Sequence, residues 1–104
     1  MVVEISDKNF KELLNEGKPM MVDFSATWCG PCGKVAPIVE ELSEVYAGKI
    51  NMGKCDVDNG DDIITEFSIR NIPTLLFFKN GELVDKYVGT ISKENLAKKL
   101  DAIL

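Results

Sequence analysis

The sequence predicts an α/β fold in which a mixed central sheet carries helices on both faces. Three observations predict it. Candidate strands and helices follow the order β-α-β-α-β-α-β-β-α, so strands separated by helices must pair parallel through right-handed crossovers. Asn80-Gly81, a dipeptide favoured in two-residue hairpins, joins the last two strands and adds an antiparallel pair. At 104 residues the chain is long enough for one core and too short for two, so residues 1–104 are expected to form a single domain.

Each element has its own signal. Val2 to Ile5 is a short apolar strand, and Ser6 or Asp7 can cap a helix in which Phe10, Leu13 and Leu14 recur at helical spacing. Gly17 and Pro19 end that helix. Met20 to Ser25 is nearly continuous and apolar, as expected of a central strand buried on both faces, which makes Asp23 within it conspicuous. After Ala26, Thr27 and Trp28 comes Cys29, then Pro31 in a first-turn position where its missing N–H costs nothing. A long helix runs from there to about Tyr46, with Val35, Ile38, Val39, Leu42, Val45 and Tyr46 on its apolar face. Pro37 is expected to kink it. Ile50 to Val57 is a third strand, and Asp61 or Asp62 opens a short helix with Ile63, Ile64 and Phe67 inward. Thr74 to Phe78 and Glu82 to Val88 form the hairpin strands. A last helix starts at a Ser92 cap and turns Leu96, Leu100, Ile103 and Leu104 to one side.

Composition removes several function classes. The net charge is −5 and no stretch concentrates Lys or Arg, so nucleic acid is not an expected partner. No apolar run approaches the ~20 residues of a membrane-spanning helix. The N-terminus has no basic region followed by an apolar segment, which favours a cytoplasmic location. There are three cysteines and no histidine, too few ligands for a four-coordinate structural zinc site, so no metal is expected. Cys-His and Ser-His nucleophile pairs are likewise absent, leaving proton transfer to carboxylate, lysine or thiol.

The chemistry points to Trp28-Cys29-Gly30-Pro31-Cys32, between a buried strand and a helix start. Residues three apart on a helix share a side, so Cys29 and Cys32 are placed to switch between dithiol and disulfide. Unpaired N–H groups and the positive end of the helix dipole favour a thiolate at Cys29. Cys32 lies a turn deeper, where burial keeps it protonated. The competing readings of a C-x-x-C pair, half of a zinc site or two unrelated core thiols, lose ground to the missing ligands and the strand-turn-helix setting.

Several separated motifs resemble the thioredoxin family through essentially the whole chain: VDFSATWCGPC from Val22, APIVEEL from Ala36, IRNIPTLLFFKNGE from Ile69 and VGTIS from Val88. The resemblance implies the thioredoxin fold, with five strands in the order 1-3-2-4-5 and four flanking helices. It implies a thiol-disulfide oxidoreductase that reduces protein disulfides, with Cys29 attacking and Cys32 resolving the mixed disulfide. Asp23 then corresponds to the buried acid that helps deprotonate Cys32, and Lys54 to the amine near it. Without such a role the two would be a buried ion pair. Ile72-Pro73 resembles the family's cis-proline dipeptide, and Trp28, Gly30, Pro31, Ile72, Pro73, Val88 and Gly89 correspond to the substrate contact surface. The resemblance also implies no bound cofactor, electrons from NADPH through thioredoxin reductase, disulfide-containing client proteins, and a monomer.

Two positions depart from the family pattern: Ser25 stands where Trp is common, and Gly33 where Lys or Arg is usual. Both adjoin the redox motif and bear on the reduction potential. Cys55 lies outside the pair and reads as a small buried core residue, with a regulatory or dimer-forming thiol as its other reading. A disulfide oxidase or isomerase on the same fold, and a non-catalytic protein-binding module, are the alternative functions. Gly30-Pro31 between the cysteines resembles the reducing members of the family.

Overall fold

Alternation of apolar side chains to the two sides of nearly every inner strand dictates a sheet covered on both faces, and that is what forms. The computed structural model describes residues 1–104. Its elements are β1 (Val3–Glu4), α1 (Phe10–Leu14), β2 (Met20–Ser25), α2 (Cys32–Val45), β3 (Asn51–Asp56), α3 (Asp61–Glu66), β4 (Thr74–Lys79), β5 (Glu82–Val88) and α4 (Lys93–Asp101). The strands lie in the order β1-β3-β2-β4-β5. β3 pairs parallel with β1 and β2, and β4 pairs antiparallel with β2 and β5.

Because successive strand residues point to opposite faces, β2 divides its side chains between two cores. Met21, Leu75 and Phe77 meet Val35, Val39 and Leu42 of α2 and Leu96 and Leu100 of α4. Met20, Val22, Phe24, Leu76 and Phe78 meet Phe10 and Ile63 on the other side. There Phe10, Phe67 and Phe78 form an edge-to-face triad with ring centroids 5.4 to 5.7 Å apart, fastening α1 and α3 to the sheet. On the first side the Tyr46 hydroxyl donates to Asp101 at 2.6 Å and ties α2 to α4. Asp23 projects from β2 toward the α2 side, with Met21, and this places a carboxyl beneath the helix that carries Cys32.

Several boundaries differ from the sequence expectation. β1 is two residues long, although the Ile5 N–H still donates to the Lys54 carbonyl at 2.7 Å. α1 begins at Phe10, because Asp7 is engaged elsewhere: its carboxylate accepts from the N–H groups of Asp62 and Ile63, both at 3.1 Å, and caps α3. β3 is shorter by a residue at each end and β4 longer by Lys79. Val45 and Leu104 were expected inward and are exposed; Tyr46 takes the inward place at the end of α2, and Leu104 lies beyond the end of α4. α2 runs unbroken through Pro37.

The Asn80-Gly81 turn has positive φ at both residues, 54° and 79°, the requirement of a two-residue hairpin turn whose twist matches its strands. Ser92 caps α4 by accepting from the Asn95 N–H at 3.1 Å. No helix is long and apolar enough to cross a membrane.

Candidate functional site

The buried strand β2 ends at Ser25, and a tight turn, in which the Cys29 N–H donates to the Ala26 carbonyl, delivers the chain to the start of α2. That junction places Cys29 at the rim and Cys32 inside: Cys29 is half-buried, whereas Cys32 is 4% exposed. The two are joined as a disulfide, with Cα atoms 5.4 Å apart. Pro31 has helical dihedrals and directly precedes the helix, so the Cys32 N–H is one of the unpaired donors of the first turn. It points at Cys29 Sγ, at 3.3 Å. The same contact would favour a thiolate at Cys29 once the disulfide opens.

Ile72-Pro73 is a cis peptide, and the Ile72 carbonyl oxygen lies 3.9 Å from Cys29 Sγ. In the disulfide form Cys29 carries no proton, so this is a close approach and not a hydrogen bond. The Ile72 N–H has no partner within the chain. The Gly89 N–H donates to the Pro73 carbonyl at 2.9 Å and so fastens the end of β5 beside the cis dipeptide. Gly89 does this with φ of 108°, a conformation that disfavours a side chain. Trp28 is 71% exposed and Val88 is also exposed, as are Gly30 and Pro31. Cys29, Ile72, Pro73 and Gly89 are thus tied together by contacts, while Trp28, Gly30 and Pro31 adjoin Cys29 along the chain.

Asp23 is 3% exposed, and its Oδ1 finds no hydrogen-bond partner in the protein. Burial pushes its carboxyl up to about 6, against a smaller opposing pull from Lys54. The two residues are register partners on β2 and β3, yet they do not form a contact ion pair. The Lys54 side chain is 54% exposed and its Nζ stands 4.0 Å from Glu4. The ion-pair reading is therefore not what the structure holds. A buried acid that titrates near neutrality can take up and release a proton within the physiological range.

Sequence reasoning passed over part of the environment of Asp23: Ala36, Pro37 and Glu40 line the cleft beside it. The signal was readable, since Gly33, Ala36, Pro37 and Glu40 recur at three- and four-residue intervals along one helix face. Cys55 is fully buried beneath Gly60, and burial pushes its thiol up to about 11. It is a packed side chain. No group of three or more His, Cys, Asp or Glu side chains is arranged to hold a metal ion.

Comparison with known proteins matches this architecture to a family model described as Thioredoxin over residues 1–102. The chain is 49% identical over 100 residues to a thioredoxin of Staphylococcus haemolyticus, covering 96% of this chain and 95% of that protein. It is 44% identical over 102 residues to a thioredoxin of Synechocystis, covering 97% and 95%. To the chloroplastic M-type thioredoxin of Spinacia oleracea it is 42% identical over 104 residues, covering 99% of this chain and 58% of that protein.

Proposed function

This chain belongs to the thioredoxin family and reduces protein disulfides by dithiol-disulfide exchange, and from that premise we propose that Cys29 is the attacking sulfur and Cys32 the resolving one. The observation that carries the assignment is the asymmetry of the pair. Cys29 sits at the rim with a helix N–H aimed at it, and Cys32 is enclosed behind it. An incoming disulfide can reach only the first. Cys29 thiolate attacks one client sulfur, the client S–S bond breaks, and the other client sulfur leaves as thiolate. Cys32 then displaces the client from the mixed disulfide, leaving the client as dithiol and the enzyme oxidised.

The unpaired N–H and carbonyl of Ile72 support a role as the edge onto which an extended client segment adds like a strand. In this reading the exposed Trp28, Gly30, Pro31 and Val88 and the half-buried Gly89 complete the client contact surface, and the buried Pro73 holds the cis turn. Asp23 accepts the proton of Cys32 in the resolving step, and Lys54, close enough to lower the carboxyl's proton affinity, tunes it. The oxidised form is re-reduced by thioredoxin reductase with NADPH. The chain acts as one unit over residues 1–104, as a monomer in the cytoplasm, with disulfide-containing proteins as clients.

The test is NADPH-coupled reduction of insulin disulfides with a thioredoxin reductase. The wild-type chain should turn over, and Cys29→Ser and Cys32→Ser should each abolish turnover. Activity surviving in either variant would refute the two-cysteine cycle, and inactivity of the wild type with a competent reductase would refute the proposed electron source.

A further inference from the structure

Two clefts behind the redox pair join into one trough whose charges do not balance. One, of about 810 Å³, reaches Cys29 and Cys32, and the charged side chains along it are Glu4, Asp7 and Asp56 against Lys8 and Lys54. The other, of about 360 Å³, adds Asp23 and Glu40 and no cation beyond the shared Lys54. Five carboxyl groups thus stand against two amines. Ser25, Gly33 and Ala36 border both clefts, so the trough is continuous from the sulfurs inward. It is open because its walls are small there: Ser25 is half-buried, and a Cβ added at Gly33 would meet nothing within 4 Å. A Trp at the first position would fill the trough, and a Lys at the second would add an ammonium to it.

The trough also ends on an unpaired acceptor. Asp23 is 3% exposed, and its Oδ1 has no hydrogen-bond partner in the protein. A buried acceptor without a partner is costly, so a donor that enters the trough gains what this atom lacks. The lysines do not supply it. Lys54 turns outward to Glu4, 4.0 Å from its Nζ, and Lys8 is exposed with no ion pair. Nearer the sulfurs, Asp56 accepts from the Asp58 N–H at 2.9 Å with one carboxylate oxygen and keeps the other free.

We propose that the trough takes an arginine side chain of the client, one or two residues from the client cysteine that bonds Cys29, and that Ser25 and Gly33 are therefore specificity-determining positions. The inference rests on the reading above in which the client docks at Ile72 and bonds Cys29. Ile72 approaches Cys29 but does not border the trough. A client segment that pairs with Ile72 and continues past Cys29 therefore arrives over the trough mouth. Successive Cα atoms are about 3.8 Å apart, so the neighbours of the client cysteine start within a long side chain's reach of it. The methylene stem packs along Ala26 and Ala36. The guanidinium, with five donors in a planar fork, matches carboxylate oxygens two at a time and is more weakly hydrated than an ammonium. The thiol-disulfide exchange at Cys29 is unchanged; the contact only selects which client reaches it.

The test uses disulfide-linked homodimers of one short peptide, with Arg, Gln or Glu placed one or two residues before or after its cysteine, reduced by the protein with NADPH and thioredoxin reductase. Each kcat/KM is divided by the rate of the same peptide with dithiothreitol, which removes the effect of neighbouring charge on the disulfide's own reactivity. At one or more of these positions the Arg peptide should exceed the Gln peptide by about three- to fivefold, the scale of one partly exposed charge pair, and Glu should fall below Gln. Ratios are compared within each protein, so a general change in thiol reactivity drops out. Gly33→Lys should erase the preference, and Asp56→Asn should at least halve it. Equal rates for the three peptides at every position, or a preference for Glu, overturn the proposal, while reduction of insulin keeps the reductase reading intact. An Arg preference undiminished in both variants also overturns it, since the preference then comes from the field of a chain of net charge −5 and not from the trough. A wild-type chain that reduces neither the peptides nor insulin overturns the reading of the site itself, and the proposal with it.

Discussion

Replacing the Asp23 carboxyl by an amide should make the oxidised protein more stable at neutral pH, and the size of the gain follows from burial. The carboxyl is held at about 6 in place of 3.8, so the folded chain prefers the protonated form by about 3 kcal/mol relative to the unfolded chain. Below about pH 4 both states carry the proton, and the acid imposes no ionisation cost on folding. As the pH rises from about 4 to 6 the unfolded chain ionises while the folded chain resists, and stability is lost progressively. Above about 6 the loss is complete. Asn does not titrate, so the stability of Asp23→Asn relative to wild type should climb through this window by up to about 3 kcal/mol and then level off. The assay is urea unfolding followed by far-ultraviolet circular dichroism at a series of pH values, with the Cys29–Cys32 disulfide intact in both proteins and m-values compared. A difference that is flat with pH, or that grows toward acid, would refute the argument that desolvation dominates at Asp23.

Two further substitutions probe the packing beneath the site. Gly60→Ala would place a Cβ 2.6 Å from Cys55 Sγ, an overpacking expected to cost about 1–3 kcal/mol. Cys55→Ala should relieve most of that cost in the double variant, and strictly additive losses in urea unfolding would show that the clash is not with the thiol. Asp7→Ala removes the acceptor for the Asp62 and Ile63 N–H groups and should cost about 1 kcal/mol. Hydrogen exchange should show the added opening in the first turn of α3, and unchanged protection there would sink the capping assignment.

The order of elements was legible because periodicity is a local property: β2, α2, β4 and α4 each carry their pattern within a few residues. What was not legible depended on distant partners. Nothing near Asp7 in sequence shows that its carboxylate serves α3, more than fifty residues away, and with that partner taken α1 starts later than the capping pattern suggested. Val45 satisfied the apolar spacing of α2, yet Tyr46 beside it could reach Asp101 and took the inward position. At the site, Cys29, Cys32 and the cis Ile72-Pro73 stood where the motifs placed them. Lys54 borders the cleft beside Asp23 without a contact ion pair, because adjacent register positions fix backbones, whereas a long lysine side chain follows solvent and Glu4.

The two lateral borders of the sheet bear on how such a protein survives its work. A protein that reduces the disulfides of other proteins must itself avoid pairing its sheet edges with neighbouring strands. On one side β1 offers only two residues of pairing, too little to template a growing ribbon. On the other, β5 is longer, but its register with β4 slips between Phe77 and Phe78, and Glu82, Asp85 and Lys86 distribute charge along it. The flanks therefore discourage the lateral accretion from which aggregates grow.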